Sequence, residues 1–286
     1  MQEIISVEWK FPPSKNRKGQ TRHEYDIKTV HLLATDLIKG PTIIISDLHC
    51  HTNKVFALLD EYVCLDKFTV ICAGDMAGTS IFGSDGDPTI FYEDMLSKCG
   101  ELYFSQGNHD LPSGDGKHRE KKLHNKNAKF KSQSMCSLNE TITKTSIGVI
   151  GGIDGTISNK SHDYKMTPDE YYNKLIKLLK KNPPILVTHD TPAIPVKYHD
   201  GSNYVGNENI YKIVSKYRPK IHIYGHCHHP TYHNLIDGVN YICADSRILI
   251  MIPNNMNYQE FFKKELETNE YKYDESASTD TDVVTI

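Results

Sequence analysis

Apolar residues in this chain fall into short runs separated by polar turns, and the runs alternate between strand and helix spacing. Thr42 to Ser46 is a β-branched apolar run that reads as a buried strand, and Val55 to Val63 then takes a helical period. Phe68 to Ala73, Glu101 to Ser105 and Ser146 to Gly152 read as further strands, the last closed by Gly151-Gly152. Thr167-Pro168-Asp169-Glu170 is a helix start: Thr167 caps, Pro168 fits the first turn and Glu170 completes a capping box. That helix is expected to run to about Lys181 with Tyr172, Leu175, Ile176 and Leu179 on one face, and Pro183-Pro184 stops it. Strands follow at Ile185 to Thr188, Lys220 to Tyr224, Val239 to Ala244 and Ile248 to Ile252, with a short helix from Ile210 to Tyr217 after the first of them. Alternation of this kind predicts an α/β domain whose sheets are covered by helices.

Three stretches break the rhythm. Residues 10–28 are polar and basic, with Pro12-Pro13, and residues 1–40 read as an irregular N-terminal lead-in to a domain at 41–267. A basic polar insertion is expected at about 113–145, with seven Lys or Arg between Lys117 and Lys131 against one acid, Glu120. Residues 268–286 are acidic and Ser/Thr-rich, and read as a disordered tail.

Composition sets limits on function. A chain of 286 residues with 38% hydrophobic and 24% charged side chains suits one large domain or two small ones. The net charge of −3 disfavours a surface built wholly for nucleic acid. No apolar run approaches the roughly 18–20 residues that span a bilayer, and Met1 to Lys10 lacks the basic-then-apolar order of a secretory signal. The seven cysteines are scattered, odd in number and without a CxxC pair, which points to reduced thiols and a cytoplasmic setting.

The fifteen histidines change the picture, because several stand where strands end. Ser46-Asp47-Leu48-His49 follows the first strand, Gly74-Asp75 the second and Gly107-Asn108-His109-Asp110 the third. Thr188-His189 closes a later strand and Gly225-His226-Cys227-His228 the next. Ligands of open α/β sheets collect outside the carboxyl ends of strands, so neighbouring strands would bring these five clusters together. Imidazole mixed with carboxylate and no thiolate cluster suits divalent transition metals such as Mn, Fe, Zn or Ni. Asp47 with His49, and His226 with His228, have the spacing that puts both side chains on one side of an extended segment. Asp75 is a candidate to bridge two ions roughly 3.5–4 Å apart. Two such ions with Asp47, Asp75 and a hydroxide would leave a single positive charge, which favours a phosphate anion.

These residues resemble the calcineurin-like metallophosphoesterase family, whose motifs DxH, GDxx, GNH[DE], a lone His and GHxH all occur here in order across about residues 42–250. The resemblance implies a four-layer αββα sandwich of two mixed sheets. It implies one ion held by Asp47, His49, Asp75 and His228, and another by Asp75, Asn108, His189 and His226. It also implies His109 as the proton donor to the leaving oxygen, oriented by Asp110, with attack by a metal-bridging hydroxide. The expected substrate is a phosphorylated small molecule or nucleotide: a phosphodiester such as a cyclic nucleotide, or a phosphomonoester. The sequence after Thr188 resembles the small MPPED-type phosphodiesterases, and Gly74-Asp75-Met76-Ala77 lacks the arginine of the protein phosphatases. No membrane or protein partner is expected, and nucleic acid is not favoured. The rival readings are a non-catalytic calcineurin-like scaffold and a nuclease of the same superfamily.

Several neighbours carry a plainer reading. Asp47-Leu48-His49-Cys50-His51-Thr52 also resembles the opening of the PHP phosphoesterases, but no later TDH-type motif follows, which leaves His51 at the surface or behind the ligands. His222 reads as a sheet-face residue, His229 as a substrate contact or a solvated turn, and Cys50 and Cys227 as packed thiols. The basic run after Asp110 has two readings, a steering surface for polyanions and a solvated loop.

Overall fold

The computed structural model describes residues 1–15, 20, 25–77, 86–110, 134–159, 164–196, 205–227 and 229–270. In chain order the strands are β1 (Gln2–Phe11), β2 (Asp26–Thr35), β3 (Thr42–Ile45), β4 (Thr69–Cys72), β5 (Glu101–Phe104), β6 (Ser134–Ser137), β7 (Ile142–Thr145), β8 (Gly148–Ile153), β9 (Thr156–Ile157), β10 (Lys165–Met166), β11 (Ile185–Thr188), β12 (Ile221–Tyr224), β13 (His233–Ile236), β14 (Val239–Cys243), β15 (Arg247–Pro253) and β16 (Asn269–Glu270). The helices are α1 (Thr52–Tyr62), α2 (Thr89–Lys98), α3 (Pro168–Leu179) and α4 (Glu208–Tyr217). Among the described residues, one sheet has the order β16-β1-β2-β15-β3-β4-β5-β6 and the other β13-β14-β12-β11-β8-β7, with β9 and β10 as a separate pair. No described helix is long and apolar enough to cross a membrane.

Strand period explains the layering. Side chains alternate between faces, so a strand buried on both sides feeds two cores at once. Ile43 and Ile45 join α1 residues Val55, Leu58 and Leu59 and α2 residues Phe91 and Met95 in one core. Ile44, between them, meets Ile71, Val187, Ile223 and Ile242 in a second core enclosed by the two sheets. Leu186, Tyr224 and Tyr241 pack on Tyr171, Leu175, Ile210 and Val214 from α3 and α4 in the third. Helix, sheet, sheet and helix make the four-layer αββα sandwich.

The capping box at Thr167 and Glu170 is formed and Pro168 opens α3, but the helix stops at Leu179. Its buried stripe is Tyr171, Leu175, Leu178 and Leu179 rather than the expected one. Tyr172 and Ile176 lie on the margin of that stripe. The N-terminal lead-in is the larger correction. Residues 2–11 and 26–35 are long antiparallel strands, and β2 pairs in parallel with β15 in the middle of the sheet. The alternation Ile5, Val7, Trp9, Phe11 was the signal, since all four pack on the first core. Residues 134–145 likewise form β6 and β7 instead of belonging to an insertion. The basic run Lys117 to Lys131 and the tail from 271 lie outside the described residues, while Asn269 and Glu270 pair with Trp9 and Lys10.

Trp9 measures how far this hairpin is part of the fold. It is wholly buried, its ring centroid lies 5.7 Å from that of Tyr62, and Nε1 donates to the Glu267 carbonyl at 3.3 Å. Trp9→Ala is expected to cost about 3–5 kcal/mol, read as a shift in the guanidinium midpoint followed by far-UV circular dichroism. A loss under about 1 kcal/mol would make the hairpin peripheral.

Candidate metal centre

Register brings the motifs to one level. Ile45 pairs with Cys72 and Cys72 with Phe104, so Ser46, Ala73 and Ser105 leave the first sheet side by side. In the second sheet Val187 pairs with Ile223, which sets the ends of β11 and β12 next to each other. The turns are then laced together: the Asp47 amide donates to the Gly74 carbonyl at 3.0 Å and the His49 amide to the Asp75 carbonyl at 3.1 Å.

Sharp backbone geometry aims the side chains. Asp47, His49, Asp75 and His226 all have positive φ, between 47° and 71°. Non-glycine residues held in this region cost of order 1–3 kcal/mol each and cluster at functional sites. Gly107 permits a close approach: a Cβ there would sit 2.5 Å from the Asp75 amide nitrogen and closer still to its carboxylate. Gly225 is under the same constraint against Ser46 and Asp47.

The ligand atoms form two groups. Asp47, His49 and Asp75 lie within 4.8 Å of one another, and so do Asp75, His189 and His226. Asp75 belongs to both. Its Oδ1 accepts the His109 amide at 2.8 Å, while Oδ2 lies 3.3 Å from His189 Nε2 and 4.0 Å from His49 Nε2. His189 Nδ1 lies 2.8 Å from the Ala73 carbonyl, which can only accept, so Nδ1 carries a hydrogen and Nε2 is the nitrogen turned toward Asp75. Buried Nε2 makes no hydrogen bond, and neither does the buried Oδ1 of Asn108, one residue before the amide that binds Asp75. Asp47 Oδ2 accepts from Ser46 Oγ at 2.6 Å and from the His226 amide at 2.9 Å.

Electrostatics fit a cation here. Burial pushes the carboxyls of Asp47 and Asp110 well above the ordinary range, Asp245 adding to the first and Asp75 to the second. Burial acts the same way on Asp75 but is outweighed by His189 and His49, which hold it low. His189 is in turn raised, because Asp75 and Asp47 outweigh the cost of burying its charge. Burial lowers His49 and His226 to about 4, so both are neutral and able to ligate. Buried carboxyls, imidazoles and unpartnered acceptor atoms on one spot form a donor set that fits divalent ions.

Of the expected site residues, the structure brings Asp47, His49, Asp75, His189 and His226 into these groups and sets Asn108 beside them. The His109 ring is half-buried, 5.5 Å from that of His49. His228 lies outside the described residues. Asp110, expected to orient His109, is fully buried. Its Oδ2 accepts the amides of Asp75 at 2.7 Å and Gly107 at 2.8 Å, so it fixes the two turns. His229 is buried rather than solvated, with Arg247 donating to its carbonyl at 2.7 Å. Sequence reasoning missed Asp245, which follows β14 at the same sheet edge and bridges Ser46. The strand-end rule that found the other clusters would have found it too.

These contacts make two outcomes measurable. Gly107→Ala should weaken metal binding by about 10–100-fold, read as metal content by mass spectrometry after dialysis, because the new methyl displaces Asp75. Wild-type metal content would show that the approach is slack. His222, on the sheet face as expected, is fully buried, 2.9 Å from Thr188 Oγ1, and burial lowers it from 6.5 to about 3. The unfolded chain therefore binds a proton that the folded chain refuses. The resulting stability is complete above pH 6.5 and is lost as the pH falls towards 3. Between about pH 6.5 and pH 4.5 the wild type should lose about 2–3 kcal/mol more than His222→Gln, at ~1.4 kcal/mol per unit, in urea melts; equal slopes would refute this.

Comparison with known proteins matches the family model for calcineurin-like phosphoesterases over residues 40–230. No curated protein sequence matches significantly. Among solved structures, TT1561 of Thermus thermophilus superposes with a TM-score of 0.50 at 14% identity, over 72% of this chain and 90% of that one. A predicted phosphoesterase of Streptococcus pneumoniae gives 0.31 at 12% identity, over 72% of each chain. GAP50, the anchor in the inner membrane complex of Plasmodium, gives 0.40 at 12%, over 72% of this chain and 71% of its own. With the family model covering most of the chain, and with its motifs gathered at one sheet edge, this chain belongs to the calcineurin-like phosphoesterase family.

Proposed function

We propose that the chain is a dinuclear metal-dependent phosphoesterase in which Asp75 Oδ2 is shared between two ions. The observation that carries this is that the two groups of ligand atoms have Asp75, and only Asp75, in common. One ion would take Asp47, His49, Asp75 and His228, the other Asp75, Asn108, His189 and His226. Mn is the first choice, with Fe, Zn and Ni accepted by the same oxygen and imidazole donors. When bound, such ions supply Lewis-acid polarisation of a phosphoryl oxygen and activation of water near neutral pH.

The chain's own residues do the rest. Asp75 Oδ1 is held by the His109 amide, which leaves Oδ2 for the centre and fixes His109 relative to it. Asp110 clamps the turns that carry Asp75 and Asn108. The His109 ring, half-buried beside His49, donates its proton to the leaving oxygen. A phosphodiester such as a cyclic nucleotide is the preferred substrate over a monoester. Lys28 is engaged by Asp26 and Ser246, and Arg247 by the carbonyls of His229 and Asp245. A monoanionic diester asks less of the remaining positive charge than a dianionic monoester does. The seven unpaired thiols suit a reducing, cytoplasmic setting.

The test uses Mn-loaded protein with bis-p-nitrophenyl phosphate, p-nitrophenyl phosphate and cyclic nucleotides. Diesters should turn over faster than the monoester. His109→Ala should keep both ions while kcat falls about 10²–10⁴-fold. Unchanged turnover in that variant would remove His109 from the chemistry, and a wild type with neither metal nor turnover would make the chain a scaffold.

A further inference from the structure

A second cluster of ligating side chains stands apart from the dinuclear centre. Asp26, Cys50 and His51 bring a carboxylate oxygen, a sulfur and a ring nitrogen within 4.8 Å of one another, and share no residue with the groups around Asp75. His51 Nε2 lies 3.0 Å from Asp26 Oδ2. The His51 ring is 3% exposed and stacks on Phe11 at 5.0 Å, and its Nδ1 is buried without a hydrogen-bond partner. Ser14, 5% exposed, adds a fourth donor. Its hydroxyl faces the Cys50 thiol yet makes no hydrogen bond of good geometry.

We propose that Asp26, Cys50 and His51 hold one soft divalent ion, Zn²⁺ by preference, at a site separate from the dinuclear centre. Sulfur, imidazole and carboxylate are the donors Zn²⁺ takes, at about 2.0–2.3 Å, and three protein ligands with a fourth position for Ser14 Oγ or water complete a tetrahedron. Lys28 Nζ lies 3.6 Å from Asp26 Oδ1 and donates to Ser246 Oγ, leaving Oδ2 to face His51. The sulfur in the donor set favours a soft ion over hard cations such as Mg²⁺. Atoms balance simply, the ion replacing the thiol proton, which passes to solvent.

The placement gives the site a purpose. Ser14 follows β1 and Asp26 opens β2, whereas Cys50 and His51 lie on the short 3-10 turn that also carries His49. An ion there ties the N-terminal hairpin to the turn that presents a ligand of the dinuclear centre.

The test is a Co²⁺ titration of the metal-free full-length protein. A thiolate-to-cobalt charge-transfer band in the near ultraviolet reads this site alone, since the dinuclear centre has no sulfur ligand. The band should saturate at one ion per chain, vanish in Cys50→Ser, and require more than about tenfold more Co²⁺ in Asp26→Asn. It should persist in Cys227→Ser and in Asp75→Asn, so that failure of the dinuclear reading leaves this result standing. Zn²⁺ should also protect wild-type Cys50 from iodoacetamide, a readout that needs no variant to fold. Absence of the band in wild type, its survival in Cys50→Ser, or alkylation of Cys50 unaffected by Zn²⁺ would overturn the proposal.

Discussion

The buried carboxylate of Asp75 is the constraint on which the site depends. A carboxylate taken out of water must be met by charge or by donors, or it takes a proton. Here one oxygen is met by the His109 amide and the other faces two imidazole nitrogens that cannot all donate to it. His189 holds its only neutral-form hydrogen on Nδ1, toward Ala73. The carboxylate is therefore met by positive charge, which His189 supplies in the unliganded protein and a cation would supply in its place. The same reasoning extends outward. Asp110 and Asp245 crowd further carboxylates against Asp75 and Asp47. So many acids gathered in the interior give it the charge that a cation would meet.

Such a gathering needs a rigid frame. Four of the candidate ligand residues sit in left-handed backbone, a conformation that costs free energy. They persist because the turns are bonded to one another and because the strands beneath are buried on both faces. Ile43, Ile44 and Ile45 show how: three consecutive residues pack into two different cores, so β3 cannot slip without vacating one of them. Strand register is thus the means by which hydrophobic packing fixes the distances among the candidate ligands.

Much of this was legible in the chain. The strand-end motifs singled out Asp47, His49, Asp75, Asn108, His189 and His226 as candidates, and the structure gathers these side chains at one sheet edge. Strands β3, β4, β11 and β12 were equally plain, since burial on both faces leaves uninterrupted apolar runs. What escaped was of another physical kind. β1 is half-buried, and its alternation of Ile5, Val7, Trp9 and Phe11 with Glu and Lys resembles a polar lead-in unless read at period two. The stripe of α3 was misplaced by part of a turn, because Tyr171 and Tyr172 are chemically alike and only packing decides which is inside. The bonds from Asp110 to the amides of Asp75 and Gly107 were not legible either, because a backbone amide leaves no mark in a sequence.

The hairpin that escaped notice also alters how the first ligand motif is understood. Read by itself, Asp47 to His51 is a ligand pair followed by incidental residues. In the fold, His49 faces Asp75 while His51 turns the other way, onto Asp26 and Phe11 of the N-terminal strands. A five-residue turn is thereby held from both sides, by Thr52 Oγ1 on the His49 carbonyl at its end and by Ser46 at its start. Its left-handed residues gain their rigidity from strands that lie well earlier in the chain. The ligand geometry is set as much by those strands as by the motif itself, which is why the motif alone identifies the chemistry and the whole sheet is required to perform it.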